Sequence, residues 1–497
     1  MIGNGLTLNS KGSTKFQPLF SILAILLLLA TLLVTGTQPA RAGGSLVVDM
    51  VNEGHDATPG DGICATASGG CSLRAAMEEA NAFGGADQII FGLPGAGVHV
   101  ISITLGPLPT ITDPVSIDGT SQPSCVAPCI VISGASVGGL GNGFSLNTSN
   151  STIKGFIITS WGQSRGIMIT GDANTIQTND IGFWPGNPSL LPNGDGIGIF
   201  GSQNTIGGTT AADRNVISGN TSDGIQISNG CCVVNASNVI TGNYIGTNAA
   251  GTGPLGNHAD GITVFTHSDN TSITRNVISS NFGWGIQQAG AIHTRILGNK
   301  IGTNAAGTGP LGNRAGGVML EAGANLNTIG GAAAGQPNLI AYNSGRGVAV
   351  VDAASVRNRI SRNAIFSNLA LGIDLAAAGV TPNDPMDPDA GPNRTQNFPV
   401  LRTASSATHV ITGALNSLAG RPFTIEFFAS PAGGCDPSGY GEGKRFIGSV
   451  AVTTNAAGNV LFSYTSPVAF VAGTVITATA TDAASDTSEF SRCRPAS

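Results

Sequence analysis

Three aspartates within the repeats share one local context: Asp195, Asp223 and Asp260 each stand immediately before a Gly-Ile dipeptide. A carboxylate at such a repeated position can move a proton, hold a cation or hydrogen-bond a sugar hydroxyl. If the Gly-Ile units fall on consecutive turns of a stacked structure, the carboxylates form a column about 4.8 Å apart. Paired carboxylates act in glycosidases at roughly 5–9 Å, so this column is the candidate catalytic group. Trp284 holds the same position one unit on, Arg346 lies further along, and His258 flanks the Asp260 unit, which makes these three the candidate substrate contacts. The competing reading is structural: Asp before Gly starts a strand through an Asx-type turn, and Trp284 shields a corner. Gly316 and Leu371 interrupt the column, and no Arg or Lys recurs where a lyase base would stand.

A second oxygen-rich stretch runs Asp387-Pro388-Asp389-Ala390-Gly391-Pro392-Asn393. It is similar to the start of calcium loops of the D-x-D-x-G type, so Asp387, Asp389 and Asn393 are the candidate metal ligands and calcium the candidate ion. No bidentate Glu follows, and a solvated Asp/Pro linker is the alternative. Other patterns fail on context. Gly134-Ala135-Ser136-Val137-Gly138 spells a nucleophile elbow without the helix and acid–His pair that must follow. Gly439-x-Gly441-x-Gly443-Lys444 lacks the Walker spacing, and there is no His-Glu-x-x-His.

The elements that must position these residues repeat. One strand reads Gly-Ile-x-Ile, as at Gly166–Ile169, Gly196–Ile199, Gly224–Ile227 and Gly347–Val350. A second follows Asn174, Asn204, Asn270, Asn327 and Asn358, and a third reads Asn-x-Ile-x-x-Asn, as at Asn243–Asn248 and Asn299–Asn304. Where no loop intervenes, successive first strands lie 23 residues (Gly143 to Gly166), 24 residues (Gly261 to Gly285) or 25 residues (Gly347 to Gly372) apart. A coil of that length with three short strands predicts an all-β parallel β-helix, its apolar pairs pointing inward and its Asn and Gly at the corners. The block Ile245–Asn257 recurs unchanged at Ile301–Asn313, with a worn copy at Ile181–Asn193. These blocks read as loops projecting from alternate coils, the usual place for a binding face.

An uncovered solenoid end exposes core, so a cap is needed. Leu73, Ala76, Met77 and Ala80 give one apolar helix face just before the strand at Gln88–Phe91. Cys71-Ser72-Leu73-Arg74 with Ala76, Glu79, Ala80 and Asn81 resembles the signature of the CSLREA-domain family of secreted proteins with right-handed parallel β-helix repeats, a pectate-lyase-like superfold. The resemblance implies the architecture more than an activity. Ala75 departs from the family's Glu and leaves half of a capping box, a loss of about 1 kcal/mol or less.

Lys11 and Lys15, the apolar run Phe20–Val34 and Ala40-Arg41-Ala42 form an export signal; cleavage after Ala42 and a retained anchor are both open. Exported cysteines pair, and position suggests Cys64 with Cys71, Cys125 with Cys129 and Cys435 with Cys493; Cys231 and Cys232 are adjacent and stay unassigned. A net charge of −6 without a basic patch excludes nucleic acid as a partner. Beyond Phe398, alternating strands separated by turns predict a C-terminal immunoglobulin-like β-sandwich. The chain thus divides into signal (1–42), N-terminal strand and cap (43–95), β-helix (96–375), Asp/Pro-rich linker (376–398) and sandwich (399–497). The expectation is a monomeric secreted or cell-surface protein, adhesive or glycan-binding through the looped face, its partner a glycan or the cell envelope. The rival is a polysaccharide lyase or glycoside hydrolase using the aspartate column.

Overall fold

The computed structural model describes residues 44–123, 125–138, 140–184, 192–228, 237–376 and 379–497. The export signal at 1–42 and the Cys231/Cys232 pair lie outside the described residues. Three parallel sheets, of eleven, ten and nine strands among the described residues, wind into a β-helix with one strand per sheet in each coil. Because side chains alternate along a strand, every coil turns its central isoleucine inward at the same height. Ile176, Ile206, Ile240, Ile273, Ile296 and Ile329 are in register in the first sheet and fully buried. Ile197, Ile225, Ile262, Ile286 and Val318 form the matching stack in the third. Each such side chain contributes roughly 1.5–3 kcal/mol by leaving water.

Asparagines hold the corners. At the turn from first to second sheet, Asn215, Asn243, Asn276, Asn299, Asn338 and Asn363 each accept, through Oδ1, the backbone N–H and side-chain amide of the Asn one coil before. A parallel ladder at the turn into the third sheet runs through Asn220, Asn257, Asn281, Asn313, Asn343 and Asn368. The corner N–H groups of these asparagines are paired from coil to coil, which removes the penalty of burying them.

Both ends are closed. The helix Leu73–Ala82 covers the first coils with Leu73, Ala76, Met77 and Ala80 buried, and Ser72 caps it by accepting from the Ala75 N–H. The signature residues lock this cap: Arg74 pairs with buried Glu53 at 2.7 Å and donates to the Pro107 and Gly106 carbonyls. Glu79 accepts from Gly60 and Gly62, and Asn81 bridges Thr110 and Thr112. Disulfides join Cys64 to Cys71, Cys125 to Cys129 and Cys435 to Cys493.

At the other end a three-stranded and a four-stranded antiparallel sheet form the sandwich around Ile411, Phe423, Ile425, Phe427 and Ile476. The sandwich belongs to the same compact unit as the coils, Gly43–Ser497. It supplies the groups that a next coil would have supplied. Glu442 accepts from the backbone of Ser367 and Asn368, and Glu426 from Arg362 and the Ser361 hydroxyl. Glu489 takes Leu375 and Thr381, while Phe428 and Phe490 join the apolar core of the coils.

The duplicated blocks fold back onto the coils instead of projecting. Each closes through a bridge, Thr247 to Pro254 and Thr303 to Pro310, and its threonine is fully buried. Leu255 receives the Gly219 N–H and Leu311 the Ser280 N–H, one coil away. The two blocks also touch: Ala305 N–H donates to the Gly251 carbonyl at 2.8 Å.

Candidate functional site

The outward face of the third sheet carries the residues singled out by the repeat. Arg165, Asp195, Asp223 and Asp260, just ahead of its strands, and Trp284, Gly316 and Arg346, the first residues of theirs, follow one another in register from coil to coil. The column exists, and its chemistry is a ladder. Asp195 Oδ1 accepts from the Asp223 N–H, Asp223 Oδ1 from Asp260 at 2.9 Å, and Asp260 Oδ1 from Trp284. Asp195 and Asp223 are each only 7% exposed. Burial is the main reason that Asp223 is pushed up to about 6, with the Asp260 N–H opposing it and the Asp260 and Asp195 charges adding to it. Asp260 is raised too, again mainly by burial, with the Trp284 N–H and Thr263 hydroxyl opposing.

Arg165 neutralises one end of the ladder. Its guanidinium lies 3.0 Å from Asp195 Oδ2, in poor hydrogen-bond alignment, and donates to Gln226 Oε1 at 2.7 Å. It reaches across Gly198, where any Cβ would collide with it, and rests on the Phe200 ring. The carboxylates are thus committed to backbone and guanidinium. A group buried and bonded in this way is poorly placed to reach a glycosidic oxygen.

What the column leaves open is its aromatic half. The Trp284 ring lies across Gly316, the one place in the column without a side chain, so that any Cβ there would strike the ring. Beside it runs a second column, one residue after each ladder asparagine: His258, Phe282 and Arg314. The His258 and Phe282 rings are 4.7 Å apart, and the Arg314 guanidinium sits 3.6 Å over the Phe282 ring, which is 39% exposed. His258 shares a coil with Asp260, and Phe282 shares one with Trp284. Further along the Trp284 strand, Gln287 donates to Glu321 at 2.5 Å. The result is a platform of flat faces edged by amide and carboxylate groups.

Phe282 and Arg314 went unnoticed in sequence, although the spacing after Asn257, Asn281 and Asn313 is a signal that finds them. Arg346 stands apart: it pairs with Asp374 at 2.6 Å, beyond Gly316. The metal candidates also separate. Asp384, Asp387 and Asp389 bring carboxylate oxygens within 4.8 Å of one another. Asn393 instead extends an asparagine ladder, accepting from the Asn358 N–H and donating to the Thr487 carbonyl. Asp387 already accepts from Gln396, Ser417 and Asn397, and burial above all pushes it up to about 6. Asp387 and Asp389 thus meet Asp384 and not Asn393, three carboxylates toward the six to eight oxygens that calcium takes.

No family model and no curated protein matches the chain. Among solved structures it is similar to the Dettilon tailspike protein, at 14% identity over 84% of this chain and 90% of that one, with a TM-score of 0.29. It is also similar to the enzymatically active domain of tailspike protein 2 of bacteriophage CBA120, at 12% identity over 85% and 73%, TM-score 0.32. The A-module of mannuronan C-5 epimerase AlgE6 from Azotobacter vinelandii aligns at 16% identity over 63% and 92%, TM-score 0.21. Likeness of this size decides nothing about activity.

Proposed function

We propose that this is an exported β-helix protein that binds a glycan, without cleaving it, on the platform of His258, Phe282, Trp284 and Arg314. The observation that carries the reading is the run of flat groups at the surface, Phe282 beside His258 and beneath Arg314, and Trp284 over Gly316. Sugar rings present one apolar face and a rim of hydroxyls, which is the complement of such a surface. Burial and hydrogen bonding of Asp195 and Asp223 favour binding over the catalytic alternative. The three disulfides support an oxidising compartment. Binding therefore rests on the outward face of the third sheet more than on the duplicated blocks.

A glycan array probed with the chain and with Trp284→Ala and Phe282→Ala tests this. Each truncation is expected to weaken the best ligand by about 2 kcal/mol, some thirtyfold in Kd, without lowering the melting temperature. Undiminished binding by both variants overturns the platform. New ultraviolet absorbance on polyuronates, lost in Asp223→Asn, establishes the lyase instead.

A further inference from the structure

A groove of about 410 Å³ lies on a different face, the outside of the first sheet. Its ends are two insertions at the corner between first and second sheet: one follows the strand Thr205–Gly207, the other the strand Thr328–Gly330. Three plain coils separate them, with strands Val239–Thr241, Ser272–Thr274 and Arg295–Leu297 as the floor. The insertions lean over the Gly242 and Gly298 corners, so their inner edges face each other across two coil steps, about 10 Å. The first wall is braced by a capping box between Thr210 and Asp213, the second by the Gln336 carbonyl, which accepts the Gly298 N–H. The groove is built, not left over.

Its lining is mixed in a particular way. Val239 and Leu297 give apolar patches, Thr241 and Thr274 a hydroxyl pair bonded at 2.9 Å, and Gln336 an amide. Arg275 provides the charge. It occupies a left-handed corner, φ 56°, where the coils on either side have Gly242 and Gly298. A non-glycine residue at such a corner is disfavoured, and this one stands between the Gly208 and Gly335 carbonyls, which lie over the two flanking glycines. Arg275 is exposed and belongs to no ion pair among the described residues. Arg214 on the first wall stacks on Tyr244 and binds the Gly242 carbonyl. The only acid of that wall, Asp213, is turned into its own capping box. In a chain of net charge −6, Arg275 is the one charged residue lining the groove.

We infer that this groove is a second binding site, separate from the aromatic platform, and that it takes an anionic glycan whose carboxylate or sulfate pairs with Arg275. A guanidinium forks onto either group through two parallel hydrogen bonds. The apolar patches accept ring faces, and the threonine and glutamine groups accept and donate to hydroxyls. An extended chain fits a trough closed at both ends better than a globular partner does.

Titration calorimetry of the full chain with an oligogalacturonate, a sulfated oligosaccharide and an uncharged cello-oligosaccharide tests this. The expected result is binding of a charged ligand that weakens as salt rises and is reduced about tenfold or more by Arg275→Gln at unchanged melting temperature. Thr274→Trp, which fills the floor, is expected to abolish it, and Trp284→Ala to leave it intact. Preference between the two charged ligands names the anion. Equal affinity for the uncharged oligomer, or full affinity in Arg275→Gln, overturns the inference, as does no charged ligand bound at millimolar concentration. Loss of binding in Trp284→Ala with none in Arg275→Gln moves the charged ligand to the platform.

Discussion

At the scale of the residue, Asp223 decides how the aspartate column is understood. Burial raises it from 3.8 to about 6, so the folded protein holds its proton more tightly than the unfolded chain does. Stability linked to this group is therefore full below pH 4 and lost as pH rises through about 6. Asn in its place keeps an acceptor for the Asp260 N–H and removes the charge. Asp223→Asn is expected to melt higher than the native chain at pH 8, by an amount on the order of 1–3 kcal/mol, and to match it at pH 4. Melting curves at both values check this. A variant less stable than the native chain at pH 8 means that the charge is wanted, which returns the column to chemistry. The column itself is legible in sequence, because the same position before Gly-Ile recurs. Its use as a ladder is not, because burial depends on Arg165, which crosses an intervening coil only where Gly198 lets it.

Among elements, the strands and the loops differ in what sequence reveals. Isoleucine every second residue, one coil apart, has a single physical meaning: stacked inward faces. Asn at the corners is equally plain, since its side-chain amide both donates to and accepts from neighbouring coils; the left-handed residue is the one before it, as at Thr178, Arg275, Ser280 and Tyr342. A stretch rich in Gly, Asn and Thr reads as a loop whether it projects or folds back, because its contacts come from a neighbouring coil. The duplicated blocks fold back, and corresponding glycines in them meet the backbone of the next coil. A Cβ at Gly256 would strike the Ser280 carbonyl, and one at Gly312 the Tyr342 carbonyl. Gly312→Ala, a small change in a loop, is therefore expected to destabilise by about 1–3 kcal/mol, as overpacking does. Urea melts measure it; a variant within 0.3 kcal/mol of native would show that the block is free to move.

For the whole molecule, the sandwich was legible as a fold but its place was not. Alternation after Phe398 predicts strands, whereas nothing in the sequence says that Glu426, Glu442 and Glu489 end the coil ladders. Each sits in the sandwich, far along the chain from the amides it satisfies. Removing residues 399–497 strands those N–H groups and uncovers the apolar end, so the shortened chain is expected to aggregate or melt well below the full one. Hydrogen exchange at Ser367, Asn368 and Leu375 is the sharper reading, with protection falling in the triple variant Glu426→Ala, Glu442→Ala, Glu489→Ala. Burial, chiefly, pushes Glu489 up to about 7 and raises Glu426 and Glu442, against the hydrogen bonds they accept. The folded state therefore binds these protons more tightly, and stability from the cap declines as pH rises from about 4.5 through about 7. The full chain should protect its last coil better at pH 5.5 than at pH 8, after correction for intrinsic exchange. The same protection in the shortened chain, at either pH, would make the sandwich an appended module and not the end of the rod.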